Sequence, residues 1–416
     1  MSVDVAIVGA GAAGIAAARA LTAKGVSVQV IEAKDRIGGR THTDTTTFGM
    51  AWDRGAHWLH SADVNPLTEI ADRFGMEYVK RTRSFDGRIH LGKRWAVALE
   101  REEFSRWFDK SYATALAMGK RGMDTSASRS LDPNSRWLRM GWDIHEVISA
   151  MSPDRISTLD LFRYRDTGQN WPLQQGYGAL IARYAEGLPV TLNLPVKHIE
   201  IRPDDVRLGT SSGIIEAKAC IVTASTSVLA SGRIRFTPAL PDVLQRAFEH
   251  VPTGLANKIA LQFSREVFGE ADTRYESFMD ERDPKRHALS FQLSPFGQNL
   301  AVGYIGGEFA KKMEAEGAEA MIDLARVTLV DMFGSDILKH LVKSAVTLWG
   351  AEPYIQGAYS SALPGHANDR ALFARPLASR LFFAGEAVSM DWFSTVQGAH
   401  VSGIAAAEKA MAVVGR

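Results

Sequence analysis

The sequence predicts an α/β fold of mixed α+β character, in which a domain built on a glycine-rich βαβ unit interleaves with a second domain of mixed sheet and helices. Three observations carry this prediction. Residues 1–43 lay out strand, G-x-G-x-x-G turn, helix, strand and acid in that order. A second strand, turn and helix, "LFFAGEAVSMDWFSTVQGAHVSGIAAAEKA", stands near the other end of the chain. The 416 residues exceed the usual size of one hydrophobic core, yet no repeat, low-complexity tract or flexible linker divides them.

Composition narrows the class. The chain is 46% hydrophobic and 23% charged with a net charge of +1, and no block of Lys and Arg stands out, so nucleic acid is not an expected partner. Cys220 is the single cysteine, which excludes an internal disulfide framework and a cysteine-rich metal site; no metal is expected. The alanine-rich tail is broken by Glu408 and Lys409, and the apolar start lacks a basic n-region, so neither a membrane span nor a secretory leader is read. A cytoplasmic protein is expected, with a homodimer allowed.

In "MSVDVAIVGAGAAGIAAARALTAKGVSVQVIEAKDRIGGRTHT", Val3 to Val8 form the first strand and Gly9, Gly11 and Gly14 fill the glycine fingerprint of a Rossmann-like unit. Such glycines permit a tight turn, close approach of a pyrophosphate, and close packing of helix on strand, while the helix N-terminus favours phosphate. The helix runs to about Ala23, Gly25 stops it, and the second strand ends at Glu32. That acid lies 18 residues after Gly14, near the spacing at which a carboxylate accepts from ribose hydroxyls. "RIGGRTHT" then speaks for FAD: two glycines and Arg40 let the backbone fold back over the dinucleotide and bring a fixed positive charge near its pyrophosphate.

At this point the chain resembles the flavin-containing amine oxidase family, which includes monoamine oxidases, polyamine oxidases and histone demethylases. "GMAWDRGAHWLHSADVNP" is similar to the next family block, especially in the polyamine oxidase branch. The resemblance implies that Gly55, Ala56, His57 and Trp58 lie beside the isoalloxazine and that His60 faces the substrate; a histidine satisfied by hydrogen bonds near the core is the alternative for His60. The C-terminal segment resembles the family's last FAD block. There Gly385 and Glu386 form the A-G-E turn, Glu386 is implied to bond ribityl or ribose hydroxyls, and the amides of Thr395 and Val396 are implied to face the flavin pyrimidine at a helix N-terminus.

Between these ends, "EEFSRWFDKSYATALAMGK" and "SRWLRMGWDIHEVISAM" read as helices without a motif. "WPLQQGYGALIARYAEGLPVTLNLPVKHIEI" resembles the family's return to the FAD domain, with the backbone of Val196 implied to meet the adenine. "ACIVTASTSVL" reads as a further strand followed by a polar turn at Ser225 and Thr226, and "AEGAEAMIDLARVTLVDMF" as an amphipathic helix. The expected division is residues 1–75, 172–232 and 346–416 in the FAD-binding domain and 76–171 and 233–345 in the substrate domain.

"GLANKIALQF" has the period of two of a strand with two unlike faces, and by itself Lys258 reads as a solvated strand residue. The resemblance gives it another place, as the lysine that holds a water against flavin N5 and stabilises charge when reduced flavin meets oxygen. "WGAEPYIQGAYSSALPG" resembles the block at the flavin's face. Tyr359 falls where the family has an aromatic wall for the amine, Ala358 where monoamine oxidases carry the attaching cysteine, and Thr395 where they carry the second tyrosine of a cage. Noncovalent FAD and a half cage are implied, and the long helical insertion of the demethylases has no room here.

The reading is an FAD-dependent oxidation of an amine, a secondary amine or polyamine favoured, with hydride passing to flavin N5, an imine hydrolysed to aldehyde, and O2 as acceptor. Lys258, Tyr359, His60 and Thr395 carry the chemistry, and Asp391 and Glu352 are candidate carboxylates for a polyamine tail. A related desaturase or amino-acid oxidase, or a flavin-bearing sensor without turnover, is the alternative; an amino acid would require an arginine for its carboxylate.

Overall fold

The computed structural model describes residues 2–80, 87–269 and 273–415. Strand Ser2–Val8 is central to an eight-stranded sheet, paired in parallel with Val28–Ile31 on one side and Gly213–Val222 on the other. Its run "VAIV", Val5 to Val8, is apolar without alternation, as a strand covered on both faces requires, and Val5, Ala6 and Ile7 are fully buried. Val190–Thr191 extends the sheet beyond Val28–Ile31. Strand Gly213–Val222 is long enough to serve two partners at once: its first half pairs antiparallel with Val206–Thr210 and its last residues pair in parallel with Leu381–Phe383. Five strands joined by parallel pairing therefore end at one edge, where Gly9, Glu32, Thr223 and Gly385 follow four of them. The carboxyl edge of a parallel sheet is where ligands of α/β folds bind.

Two hydrophobic clusters cover the faces of this sheet. One holds helix Ala12–Thr22 and the C-terminal helix Val396–Val414, whose small residues allow close approach; a Cβ on Gly403 would collide with the carbonyl oxygen of Ala13. The other packs Leu244, Ala247 and Phe248 of helix Asp242–His250 against Cys220 and Phe383. Strand Arg235–Thr237 also joins this sheet, pairing in parallel with His198–Ile201.

The second sheet has six strands and is antiparallel except where Arg274–Phe278 pairs with Ile89–His90. Strand Ala256–Phe263 lies between Leu300–Gly306 and Leu341–Val346. Ile259, Leu261 and Phe263 face helix Ala318–Phe333 in one core, while Ala260 packs with Phe48, Trp52 and Val302 on the other side. Both faces are thus covered, and the expectation of a solvated face is overturned: Lys258 is 8% exposed. The register aligns Lys258 with Tyr304, Ser290 and Ser277 on successive strands, so one sheet face carries a row of polar side chains.

The expected helices form over Ala98–Lys120, Leu138–Ser149 and Ala318–Phe333, the last preceded by Gly307–Glu316 and separated from it by Gly317 at φ +99°. Ser225, left without a role above, caps helix Thr226–Ala230 by accepting from the Val228 amide and donates its own hydroxyl to the Ile355 carbonyl. Among the described residues no helix is long and apolar enough to cross a membrane.

Candidate functional site

A cavity of about 1290 Å³ runs from the carboxyl edge of the first sheet to the polar row of the second. Every candidate site residue singled out from the sequence lines it, except Gly14, which lies behind the glycine turn, and Glu352 and Asp391, which lie elsewhere. Glu352 ion-pairs with Lys34, and Asp391 is exposed in the loop before the C-terminal helix. Neither acid is available to a tail bound in the cavity.

The three glycines divide their tasks. Gly9 takes φ +104° and has no room for a Cβ beside Thr223, and a Cβ on Gly14 would meet the Gly9 carbonyl oxygen. Gly11 has nothing within 4 Å of a built Cβ, so the open space above the turn lies at the second glycine, at the N-terminus of helix Ala12–Thr22. Glu32 is buried at the next strand end, accepting from the amides of Ala10 at 2.7 Å and Lys34 at 2.9 Å. The segment after it folds back as expected: the Gly38 amide donates to the Ala10 carbonyl at 2.8 Å, and Gly11 and Gly38 form a bridge.

Arg40 lines the cavity with one of its nitrogens already engaged. Its Nη1 pairs with Glu386 Oε1 at 2.8 Å and donates to the Ala358 carbonyl at 2.7 Å. The other Glu386 oxygen accepts from Ser360 Oγ at 2.7 Å and from the Ser394 amide at 2.8 Å. Burial pushes the Glu386 carboxyl up, but Arg40, the Ser360 hydrogen bond and Arg370 outweigh it and hold it below the usual carboxylate range. Arg370 itself is fully buried, forks onto both oxygens of Asp160 at 2.7 and 3.1 Å, and donates to Ser360 Oγ at 3.0 Å. No local motif marks Arg370, Asp160 or Ser360 in the sequence.

Across the cavity, Lys258 Nζ donates to the carbonyl oxygens of Asp53 and Gly55, both at 2.7 Å, and to His57 Nδ1 at 3.2 Å. Burial pulls the ammonium down from 10.5 to about 8, with Asp53 opposing. Asp53 is buried, accepting from Thr43 Oγ1 at 2.5 Å and the Tyr177 amide at 2.9 Å; burial pushes its carboxyl up and Lys258 pulls it back. His57 is held well below the ordinary imidazole range by burial, then by Lys258 and His60, so its ring is neutral. Because an ammonium only donates, Nδ1 is the acceptor and Nε2 carries the proton, which it gives to Tyr304 Oη at 3.3 Å; Tyr304 in turn donates to Gln292 Oε1 at 3.1 Å. Tyr304 and Gln292 come from cross-strand register, and no sequence signal marks them.

The expected substrate residues are also in this space. Tyr359 lines the cavity with its hydroxyl donating to the Val147 carbonyl, and burial pushes the phenol above its ordinary value. His60 Nδ1 donates to Asn170 Oδ1 at 2.5 Å, and its ring edge meets Trp58. Thr395 is the N-cap of helix Val396–Val414: Oγ1 accepts from the Gly398 amide at 3.1 Å and donates to the Trp392 carbonyl at 2.6 Å. Its hydroxyl is spent on capping, and only its small bulk faces the cavity. Ala358 offers no sulfur beside Tyr359. Val196 lines the dinucleotide end.

These residues fit a flavin dinucleotide. The open cradle at Gly11 and the helix N-terminus suit a pyrophosphate, Glu32 suits a ribose, and the volume exceeds the roughly 300–1,000 Å³ of sites for drug-sized ligands.

Comparison with known proteins agrees. The family described as flavin containing amine oxidoreductase matches residues 12–132 and 145–411. Polyamine oxidase 4 of Oryza sativa subsp. japonica is 30% identical over 440 aligned positions, covering 98% of this chain and 88% of that protein. Lysine-specific histone demethylase 2 of Homo sapiens is 29% identical over 98% of this chain, but the chain spans about half of that relative's length, 53%. Among solved structures, wild-type putrescine oxidase bound to putrescine superposes with a TM-score of 0.80 at 22% identity, covering all of both chains, a likeness of fold.

The glycine geometry yields an expected contrast. Gly14→Ala forces a side chain into backbone and is expected to cost about 1–3 kcal/mol of stability, seen as a lowered denaturant midpoint. Gly11→Ala has room, so it is expected to stay within about 1 kcal/mol of wild type yet to lose at least about tenfold in FAD affinity, equal to about 1.4 kcal/mol. Equal loss of stability in both variants would refute the division of tasks.

Proposed function

Because the chain belongs to the flavin containing amine oxidoreductases, and is thus a flavin-dependent amine oxidase with FAD as cofactor, we propose that it oxidises a secondary amine or polyamine at the carbon beside nitrogen, the imine being hydrolysed to an aldehyde. One observation carries the reading: a buried lysine, Lys258, stands in the same cavity as the dinucleotide turn. When bound, FAD supplies a hydride acceptor at N5 and returns the electrons to O2 as peroxide.

The chain's own residues do the rest. Tyr359, Trp58 and Phe393 give the cavity apolar and aromatic walls that favour the unprotonated amine, because desolvation disfavours an ammonium. Lys258 provides a fixed positive charge where negative charge develops, and the N-terminus of helix Val396–Val414 adds its dipole. With Thr395 engaged in capping, the side opposite Tyr359 stays open to a substituted nitrogen. The names of the rice polyamine oxidase and of putrescine oxidase agree with a diamine or polyamine.

Anaerobic mixing of the yellow protein with a panel of amines tests the reading. Secondary amines and polyamines are expected to bleach the flavin faster than benzylamine-like primary monoamines. Bleaching by primary monoamines first would overturn the half-cage argument, and no bleaching by any amine would overturn the reaction.

Flavin attachment has its own measurement. Since Ala358 cannot bond to the ring through sulfur, acid precipitation is expected to release all of the FAD into the supernatant. Colour retained by the washed pellet would contradict this.

Lys258→Met is expected to keep the fold and the FAD while slowing one flavin half-reaction at least about tenfold, or about 1.4 kcal/mol, in separate stopped-flow traces of reduction and reoxidation. The lysine is cationic below about 8 and neutral above it. The step that uses its charge is therefore fast below that pH and falls as pH rises through it. In Lys258→Met that alkaline fall is expected to vanish.

A further inference from the structure

An ammonium has three N–H donors, and all three of Lys258 have acceptors within the chain: Asp53 O and Gly55 O at 2.7 Å and His57 Nδ1 at 3.2 Å. The two carbonyls belong to backbone held by neighbouring pairings. Asp53 is paired in strand Trp52–Asp53, and a Cβ on Gly55 would clash with the Arg40 carbonyl, so the chain is tightly packed there. The third acceptor is a side chain, and it faces the cavity. Resting Lys258 thus aims no spare N–H at a ligand, and the longest of its three bonds is the one to His57.

We propose that His57 is the positioning residue of this site, taking the third donor of Lys258, sustaining its charge out of water, and passing its state to Tyr304. The proposal rests on Lys258 as the cation of the cavity. While Lys258 is charged, every donor in the chain points the same way, from Lys258 through His57 and Tyr304 to Gln292. If Lys258 loses a proton while both carbonyls still accept from its remaining N–H groups, its lone pair faces the lone pair of Nδ1. Relief comes when the imidazole moves its proton from Nε2 to Nδ1, after which Tyr304 must turn its O–H from Gln292 to Nε2. The charge of the lysine and the direction of the tyrosine hydroxyl are therefore coupled through one ring.

The other groups facing this unit are few. The Asp53 carboxylate stabilises the ammonium, and the Tyr304 ring lies 5.8 Å from Nζ. His60 acts on His57, and Tyr275 acts on Tyr304. Behind Lys258, just past strand Leu341–Val346, stands Thr347, an uncharged group whose Oγ1 accepts from the Lys258 amide and donates to Asn257 Oδ1.

The test reads the lysine itself, without turnover. The side-chain carbon resonance of Lys258 is followed against pH in FAD-loaded protein made with carbon-labelled lysine, and is assigned by its loss in Lys258→Met. Wild type is expected to titrate near 8. His57→Phe keeps a ring but offers no acceptor, and is expected to move the midpoint down by about one unit or more, since a lost hydrogen bond to the charged form disfavours it. His57→Asn places an amide oxygen near the position of Nδ1 and is expected to restore the midpoint to within about half a unit. His57→Leu is expected to match His57→Phe and serves if that variant fails to fold.

For the half-reaction that depends on Lys258, a one-unit fall reduces the charged fraction at pH 8 about fivefold. Slowing of about that size is expected for His57→Phe at pH 8 and little at pH 6. An unmoved midpoint in both apolar variants, or a fall in His57→Asn as large as theirs, would overturn the proposal. If the midpoint moves as expected while no amine bleaches the flavin, the amine reading alone has failed.

Discussion

A buried carboxylate must be paired, and Glu386 shows how much of the molecule that requirement organises. Its two oxygens draw on Arg40 after the glycine turn, Ser360 beside the aromatic wall and Ser394 before the last helix. Ser360 is also bonded by Arg370, which in turn neutralises Asp160 on helix Thr158–Arg163. Three regions far apart in the chain, around residues 40, 160 and 360–394, are thereby tied into one network. Removing either partner of its fully buried ion pair, Arg370 or Asp160, leaves a desolvated charge without its counterpart, a loss of about 3–5 kcal/mol. The geometry of the dinucleotide end is held from several directions at once.

The opposite wall of the cavity solves the same problem with a cation. Lys258 is anchored chiefly by peptide carbonyls, with the Asp53 carboxylate near enough to act on it and itself engaged by Thr43 and the Tyr177 amide. A carbonyl dipole stabilises an ammonium without adding a full negative charge. Part of the positive potential therefore remains to act on the cavity, as a fixed dipolar frame requires. A direct ion pair such as that of Arg40 would have cancelled more of it.

Much of this could be read from the chain. Parallel, doubly covered strands appear as unbroken apolar runs, so "VAIV" and "LFFA" were legible, and the glycine turn with Glu32 is a local device whose spacing survives in sequence. What was not legible arises from pairing across distance. Lys258 alternates with apolar neighbours as it would on a solvated face, because period two reports two unlike faces and not whether the second meets water or a cavity. Arg370 and Asp160 are 210 residues apart, and Tyr304 reaches His57 only because the register of two strands places it there. Glu352 and Asp391 stand close in sequence to good motifs, yet neither lines the cavity.

The collision that a side chain at Gly403 would make with Ala13 marks a contact between helices near the two ends of the described chain. During synthesis the helix that covers the glycine turn emerges nearly four hundred residues after it, at roughly 5–20 residues per second. For that interval Ile15 and Leu21, fully buried in the finished protein, lack part of their cover. Closure of this face of the dinucleotide turn therefore waits on synthesis of helix Val396–Val414.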